Sequence, residues 1–404
     1  MPAAGLRLSR RLPWNQTQNL LTRAVAERAV RGLPTIDLVE TNPTRVGLAY
    51  PDEELAELLG RAAAPSLQQH PLGIPQAREA LAAVLSRPGD PVAADDLVLT
   101  ASTSEAYSYL FKLFADPGDE VLTALPSYPL LDSLAALDAL ALRHFRLEPG
   151  RRFALDPGAV ERALAPRTRL LVLTHPINPT GSFLSAGEQD AAAALCASRG
   201  LPLVSDEVFA DYLLADPPAE ARRAGAAAAR RDVLSFSLGG LSKSAGLPSW
   251  KLGWIRIGGP PAQRRRIAAA LELVADSYLS VSTPIQLALG GVLAIAPRIR
   301  AAILTRLRGN LDALAAALAG LPEVELLAPE GGWSAVVRIP RLMPDEELAL
   351  QLLERAGVLV HPGYYFDFAT EGFLVLSLLP EPLLFAAGVD RLAAHLRDTS
   401  SARS

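Results

Sequence analysis

Between Val92 and Ile257 the chain alternates short apolar runs with mixed stretches of helical length. The apolar runs predict strands at Leu97–Leu99, Glu120–Leu122, Leu170–Leu173, Leu203–Ser205, Val233–Phe236 and Gly253–Ile257. The stretches between them predict helices at Ser104–Phe114, Leu131–Leu140 and Ala186–Ser198. A run such as Leu170-Leu171-Val172-Leu173 has no polar alternate position, so it suits a strand covered on both faces. Strand and helix in alternation then predict an α/β domain with a mostly parallel sheet between helices. In such sheets ligands sit at the C-terminal strand ends, so chemistry is expected in the residues directly after each strand.

Outside that segment the pattern changes. Residues 1–45 read as an N-terminal arm. Asn15 to Gly32 has helical spacing, with Leu20, Leu21, Val25 and Val30 expected on one face and Gly32-Leu33-Pro34 as the stop. Residues 46–285 are expected to form the large domain and 286–404 a smaller α+β domain. The smaller domain begins with a long helix over residues 284–320. Apolar runs follow at Val324–Leu327, Ser334–Ile339 and Phe373–Ser377, with helices at Asp345–Ala356 and Glu381–Arg397. The alanine-rich patch Ala224–Ala229 reads as helix.

Composition narrows the function classes. Half of the 404 residues are hydrophobic and 20% are charged, the signature of a folded chain with a large core and more than one domain. Acidic and basic residues nearly balance at a net charge of −4, so nucleic acid is not an expected partner. Cys196 is the only cysteine, which excludes an intramolecular disulfide or a cysteine cage, and the five histidines are dispersed, so no metal site is expected. The longest candidate for a membrane span, Ile285 to Pro297, is short for one and predicts a buried helix. The N-terminus lacks the apolar core of a secretory signal. A cytoplasmic protein with no membrane association is expected.

Four segments after predicted strands carry candidate chemistry. Thr100-Ala101-Ser102-Thr103-Ser104 precedes a helix, whose free N–H groups and dipole make a phosphate seat; the ordinary reading is a helix cap. His175-Pro176-Ile177-Asn178-Pro179-Thr180-Gly181 is a turn that holds the Asn178 amide; such turns are commonly structural. Ser205-Asp206-Glu207 places a carboxylate at a strand end, where it either faces a ligand cation or caps a helix. Gly239-Gly240-Leu241-Ser242-Lys243-Ser244 surrounds one lysine with small residues. Partial desolvation there would lower its pKa and make it a nucleophile, whereas most loop lysines are simply solvated.

Each ordinary reading is favoured singly; the ordered set is different. The turn Asn178-Pro179-Thr180-Gly181, the Asp206-Glu207 step and the Ser242-Lys243 loop, 28 and 37 residues apart from Asn178 to Asp206 to Lys243, resemble the fold type I pyridoxal-phosphate (PLP) enzymes, specifically the class I/II aminotransferases. The resemblance is strongest from Leu97 to Ile257. It implies a PLP-binding large domain with a mostly parallel sheet and a smaller C-terminal α+β domain. It implies that Lys243 forms the internal Schiff base and carries the proton between Cα and the cofactor C4′. Asp206 would pair with the pyridine nitrogen, Asn178 would donate to the phenolate oxygen, and Tyr128 would stack on the ring. Ser102, Thr103, Ser104, Ser242 and Lys251 would bind the phosphate. The implied reaction is ping-pong transfer from an amino acid or amine donor to a 2-oxo acid, in a homodimer with shared active sites.

Several positions depart from the family. Val375 stands where many members have the arginine that clamps the substrate α-carboxylate. Phe209 replaces a tyrosine, a loss that Tyr212 could make good. Gly240 replaces a phosphate-binding serine, Ser102 a glycine, and Lys251 an arginine. Near Gly73 a family tyrosine is absent, with Gln68 or Gln69 as neutral substitutes. A PLP-dependent lyase, decarboxylase or synthase would use the same lysine and aspartate. A non-catalytic ligand sensor would need a DNA-binding module, for which the arm is short.

Overall fold

The computed structural model describes residues 7–14, 18–62, 70–215 and 223–401. Seven strands form the central sheet: β1 Leu97–Thr100, β2 Glu120–Leu125, β3 Ala141–Arg146, β4 Thr168–Thr174, β5 Leu203–Asp206, β6 Ser235–Gly240 and β7 Gly253–Gly258. Their order is β1-β7-β6-β5-β4-β2-β3, and β7 alone runs antiparallel to its neighbours. This is the α/β sheet that the apolar runs predict. Strand β3 is the exception, because its residues Ala141-Leu142-Arg143-His144-Phe145-Arg146 carry no apolar run. It pairs only with β2 at the sheet edge, and only Phe145 along it is buried. An edge strand half open to water needs no continuous hydrophobic pattern.

Four helices match predicted segments, and a fifth, short one forms in the lysine segment that reads as a loop. Helix α1 spans Leu20–Val30, α2 Thr103–Phe114, α3 Leu130–Leu137, α4 Ala186–Arg199 and α5 Leu241–Ser244. The buried face of α1 is set by Leu21, with Ala24 and Val25 packed against the core. Leu20 and Val30, expected on that face, are 47% and 89% exposed. The patch Ala224–Ala229 is not a helix but one 3₁₀ turn at Ala227–Ala229. The sheet takes its amides: Glu207 accepts from Ala227 N at 2.8 Å, and Ser237 from Ala228 N at 2.9 Å. Side-chain acceptors there outcompete the helical carbonyls that alanine propensity favours.

Helix α6, Thr283–Leu318, joins the two parts of the molecule. By length and hydropathy alone it could cross a membrane. Its apolar residues are instead spaced as a packing face, with Leu289, Val292, Leu293, Ile299, Ile303, Leu307 and Leu314 buried in the main core. Beyond it lie β8 Glu325–Leu327, β9 Ser334–Arg338, β10 His361–Pro362 and β11 Phe373–Ser377, in the antiparallel order β10-β11-β9-β8. The N-terminal segment returns to this C-terminal part. Ile36–Asp37 pairs in parallel with Val358–Leu359, and Ser377 donates from its N to Leu38 O at 2.7 Å and from its hydroxyl to Glu40 O at 2.6 Å. Val39 and Thr41 are thereby held against the C-terminal sheet.

Candidate active site

The register of the central sheet brings the four candidate segments together. Thr174 at the end of β4 pairs with Asp206, Asp206 with Leu238, Gly240 with Gly253, and Gly253 with Thr100. Their loops open on one cavity of about 320 Å³, closed from the other side by β9, β11 and the segment around Phe366. Thr103, Tyr128, Asn178, Asp206 and Lys243 line it, and so does Val375. Ser102, Ser104, Ser242 and Lys251 are not among its lining residues.

Lys243 sits on the short helix α5, directly after β6. Its backbone is pinned: Tyr212 donates its hydroxyl to Lys243 O at 2.5 Å, and Tyr50 donates to Gly246 O at 2.7 Å. The Nζ lies 4.6 Å from the Trp333 ring centroid and 5.4 Å from that of Phe209. Ring faces attract a cation but do not replace its hydration shell. Burial therefore lowers the ammonium to a pKa of about 8, with the Asp206 charge pulling the other way. The partly desolvated lysine expected from the small residues around it is present.

Asp206 ends β5, and β-strand alternation separates it from its acidic neighbour. Asp206 faces the cavity. Glu207 accepts on Oε1 from Ala227 N and from the Ser237 hydroxyl at 2.7 Å, which gives it a structural task. The Asp206 carboxylate accepts from Val208 N on Oδ1 at 3.1 Å and from the Tyr107 hydroxyl on Oδ2 at 2.9 Å. Burial raises its pKa, only partly offset by these donors and by Lys243. Burial, then the Asp206 charge, pushes the Tyr107 phenol well above its ordinary range, so it stays a donor. Tyr107 was not among the residues expected from sequence. A signal exists: it stands one helical turn after Thr103 on α2, on the face that carries the helix start.

The Asn178 turn is held by its own backbone and by the C-terminal part. Gly181 N donates to Ile177 O at 2.7 Å, and His175 N donates to Asp206 O at 2.8 Å. Gly181 has φ +73°, and a Cβ there would come within 2.5 Å of Gly331 O and Pro329 Cβ. Only glycine permits both this backbone and this approach. Asn178 is the partly open residue of the turn and its side chain reaches the cavity. His175 is buried and neutral, its pKa lowered to about 3 by burial and then by Arg223, while Nδ1 accepts from Leu184 N at 3.0 Å.

At the phosphate seat, Ser102 is the cap of α2, its hydroxyl accepting from Glu105 N at 3.2 Å. Glycine at 240 has a steric basis: a Cβ would lie 3.3 Å from both Gly253 Cα and Leu252 O. Lys251 is exposed, in a left-handed conformation two residues before Gly253, the strand partner of Thr100. Tyr212 does not replace the hydroxyl missing from Phe209. Its own hydroxyl is spent on Lys243 O, and its ring packs against Trp333 at 5.1 Å. Gln68 and Gln69 lie outside the described residues.

The family model described as aminotransferase class I and II matches residues 43–383. The chain belongs to the class I and II aminotransferase family. It is 28% identical over 327 residues to a tyrosine aminotransferase of Bos taurus, covering 78% of this chain and 71% of that one. It is 30% identical over 356 residues to an aspartate/prephenate aminotransferase of Thermus thermophilus, covering 86% and 89%. A solved structure of an alanine aminotransferase from Pyrococcus furiosus superposes with a TM-score of 0.86, at 23% identity, over 97% of this chain and all of that one. The fold is fold type I, and the protein is a PLP-dependent aminotransferase.

Proposed function

We propose that Lys243 holds the PLP aldehyde covalently and that this aminotransferase works by a ping-pong cycle through that amine. The observation that carries the reading is the pairing, across one cavity, of a half-buried amine with a half-buried carboxylate that has no cation bonded to it. Asp206 has a phenol and an amide as hydrogen-bond partners, so a protonated pyridine nitrogen is the partner its charge lacks. The residues therefore fit the cofactor. When bound, its protonated ring supplies the electron sink that acidifies the donor's Cα–H.

The remaining work falls to this chain. Asp206 keeps the ring nitrogen protonated, and Tyr107 and Val208 N hold that carboxylate in place. Asn178 donates to the phenolate oxygen, without the second hydroxyl that a tyrosine at 209 would add. Tyr128 covers a ring face from the cavity mouth. The N-terminus of α2, where Thr103 lines the cavity, would receive the phosphate, with Ser102, Ser104, Ser242 and Lys251 as further donors outside the lining. The Lys243 amine would hold and move the proton at the donor Cα. Exposed Tyr278 and Leu279 offer apolar surface for a second copy, which supports a homodimer.

A single-turnover reaction tests this reading. Holoenzyme mixed with an amino donor, without acceptor, is expected to lose its visible cofactor band and release one carbonyl product per site. Free ammonia with a regenerated band would instead identify a lyase. Tyr107→Phe removes one hydrogen bond to a charged acceptor, worth about 1.5–3 kcal/mol. It is expected to weaken PLP binding to the apoprotein by about ten- to a hundredfold and to move the ¹⁵N shift of ring-labelled PLP toward the unprotonated value. An unchanged shift would show that Tyr107 only fills space.

A further inference from the structure

The wall of the cavity formed by β10 and β11 is uncharged. Val375 is 2% exposed and packs with Val336, Phe366 and Phe373. Val336 and His361 are its partners across the strands. Leu376, Trp333, Tyr365 and Phe366 continue the same lining. Lys243 is the only lysine or arginine among the described residues lining the cavity, and the proposed reaction commits it to the cofactor. His361 lies beside Val375, stacked on Tyr365 with centroids 4.6 Å apart and planes 6° apart; burial lowers it to a pKa of about 4, so it is neutral at pH 7. Cations on the flanking elements are engaged elsewhere: Arg338 is exposed and paired with Glu325, Arg341 donates to Thr370, and Arg146 donates to Asp367 O.

An ionised carboxylate placed against this wall would lose water and gain no counter-charge, an arrangement strongly disfavoured in a protein interior. The Asp206 carboxylate across the cavity, committed to the ring nitrogen in the reading above, offers no relief. An apolar or hydrogen-bonding neutral group loses nothing comparable there, and the aromatic lining favours it.

We propose that the specific substrate of this aminotransferase carries no free carboxylate on its amine-bearing carbon: it is a primary amine, or an amino acid whose carboxyl is masked as an amide or ester, with an apolar group against Val375 and Leu376. This rests on the aminotransferase reading above and narrows it. In the half-reaction the amine nitrogen and the Cα proton pass to the enzyme-held cofactor. The donor carbon takes its oxygen from water and leaves as an aldehyde or ketone, so no outside oxidant is needed.

The test uses holoenzyme and matched probes. Calorimetry compares 3-phenylpropionamide with 3-phenylpropionate, neither of which can be transaminated. Single-turnover bleaching compares L-phenylalaninamide, phenethylamine and L-phenylalanine. The neutral ligand is expected to bind at least tenfold more tightly, and the amide or the amine to react at least tenfold faster than the amino acid. Reaction of phenethylamine identifies a simple amine substrate; reaction of the amide alone identifies a masked amino acid. Val375→Arg is expected to reverse the binding preference, and Val375→Ala, which adds no charge, to keep it. Equal, undetectable or carboxylate-favouring binding by the wild type overturns the proposal, whatever Val375→Arg does. If the neutral ligand binds preferentially but no donor bleaches the band, the preference of this wall for uncharged groups stands, while the aminotransferase reading fails and takes the substrate assignment with it.

Discussion

Lys243→Ala apoprotein incubated with PLP and then reduced with borohydride is expected to retain no cofactor, whereas the wild type retains one per chain. Turnover should fall by about 10⁴-fold, the upper end of what one positioned acid–base group contributes. Two effects are lost at once, covalent capture and proton transfer at Cα, and neighbouring groups supply neither. Phe209 and Trp333 beside the amine have no base, and Tyr212 is occupied by the Lys243 carbonyl. The wild type also makes a signed pH prediction. The neutral amine is the nucleophile. With a pKa lowered to about 8, its neutral fraction grows tenfold per pH unit below 8 and levels off above. The rate of PLP capture should follow that curve. A rate still climbing at pH 10 would show an ordinary solvated lysine and remove the basis for choosing it.

Asp206→Asn separates function from stability. Activity is expected to fall on the order of 10²–10³-fold, the scale seen when one electrostatic stabiliser of a reaction is removed. Asparagine keeps the shape but cannot hold a proton on the pyridine nitrogen. Stability of the apoprotein should move the other way. Burial raises the folded-state pKa of Asp206 above its unfolded value. Such a group favours folding below its unfolded pKa and loses that contribution as pH rises through its folded pKa. At neutral pH the wild-type charge is therefore a burden without cofactor, and the neutral amide removes it. The apo variant should melt at or above the wild-type temperature at pH 7, with the difference shrinking toward pH 4. A destabilised variant with unimpaired turnover would reverse the assignment of Asp206.

Much of this site was legible before any coordinates. The apolar runs end at Leu99, Leu173 and Ser205, one residue short of the strand ends at Thr100, Thr174 and Asp206, and at Phe236, four residues short of the strand end at Gly240. The residues that follow these runs, Thr103, Asn178, Asp206 and Lys243, meet at one end of the sheet. They were legible because parallel strands in register convert order along the chain into proximity at their C-terminal ends. Strand β3 was not legible, because an edge strand needs no apolar run. The turn at Ala227–Ala229 was misread because alanine propensity is weaker than two well-placed acceptors, Glu207 and Ser237. Tyr107 was missed because an aromatic at a helical core position looks the same whether it fills space or holds a carboxylate.

The sequence alone determined the α/β class, the order of the four chemical segments, and the presence of one lysine, one aspartate and one asparagine at strand ends. These are local or nearest-neighbour properties of the chain. Tertiary structure alone decided what lies opposite them. It set Tyr107 on Asp206, turned Glu207 away from the cavity, spent the Tyr212 hydroxyl on the Lys243 carbonyl, and brought Trp333, His361 and Val375 to face an amine at least 90 residues earlier in the chain. The physical reason is that desolvation and charge pairing depend on which surfaces close over a group. That closure is made between the two parts of the fold, across distances no sequence window spans.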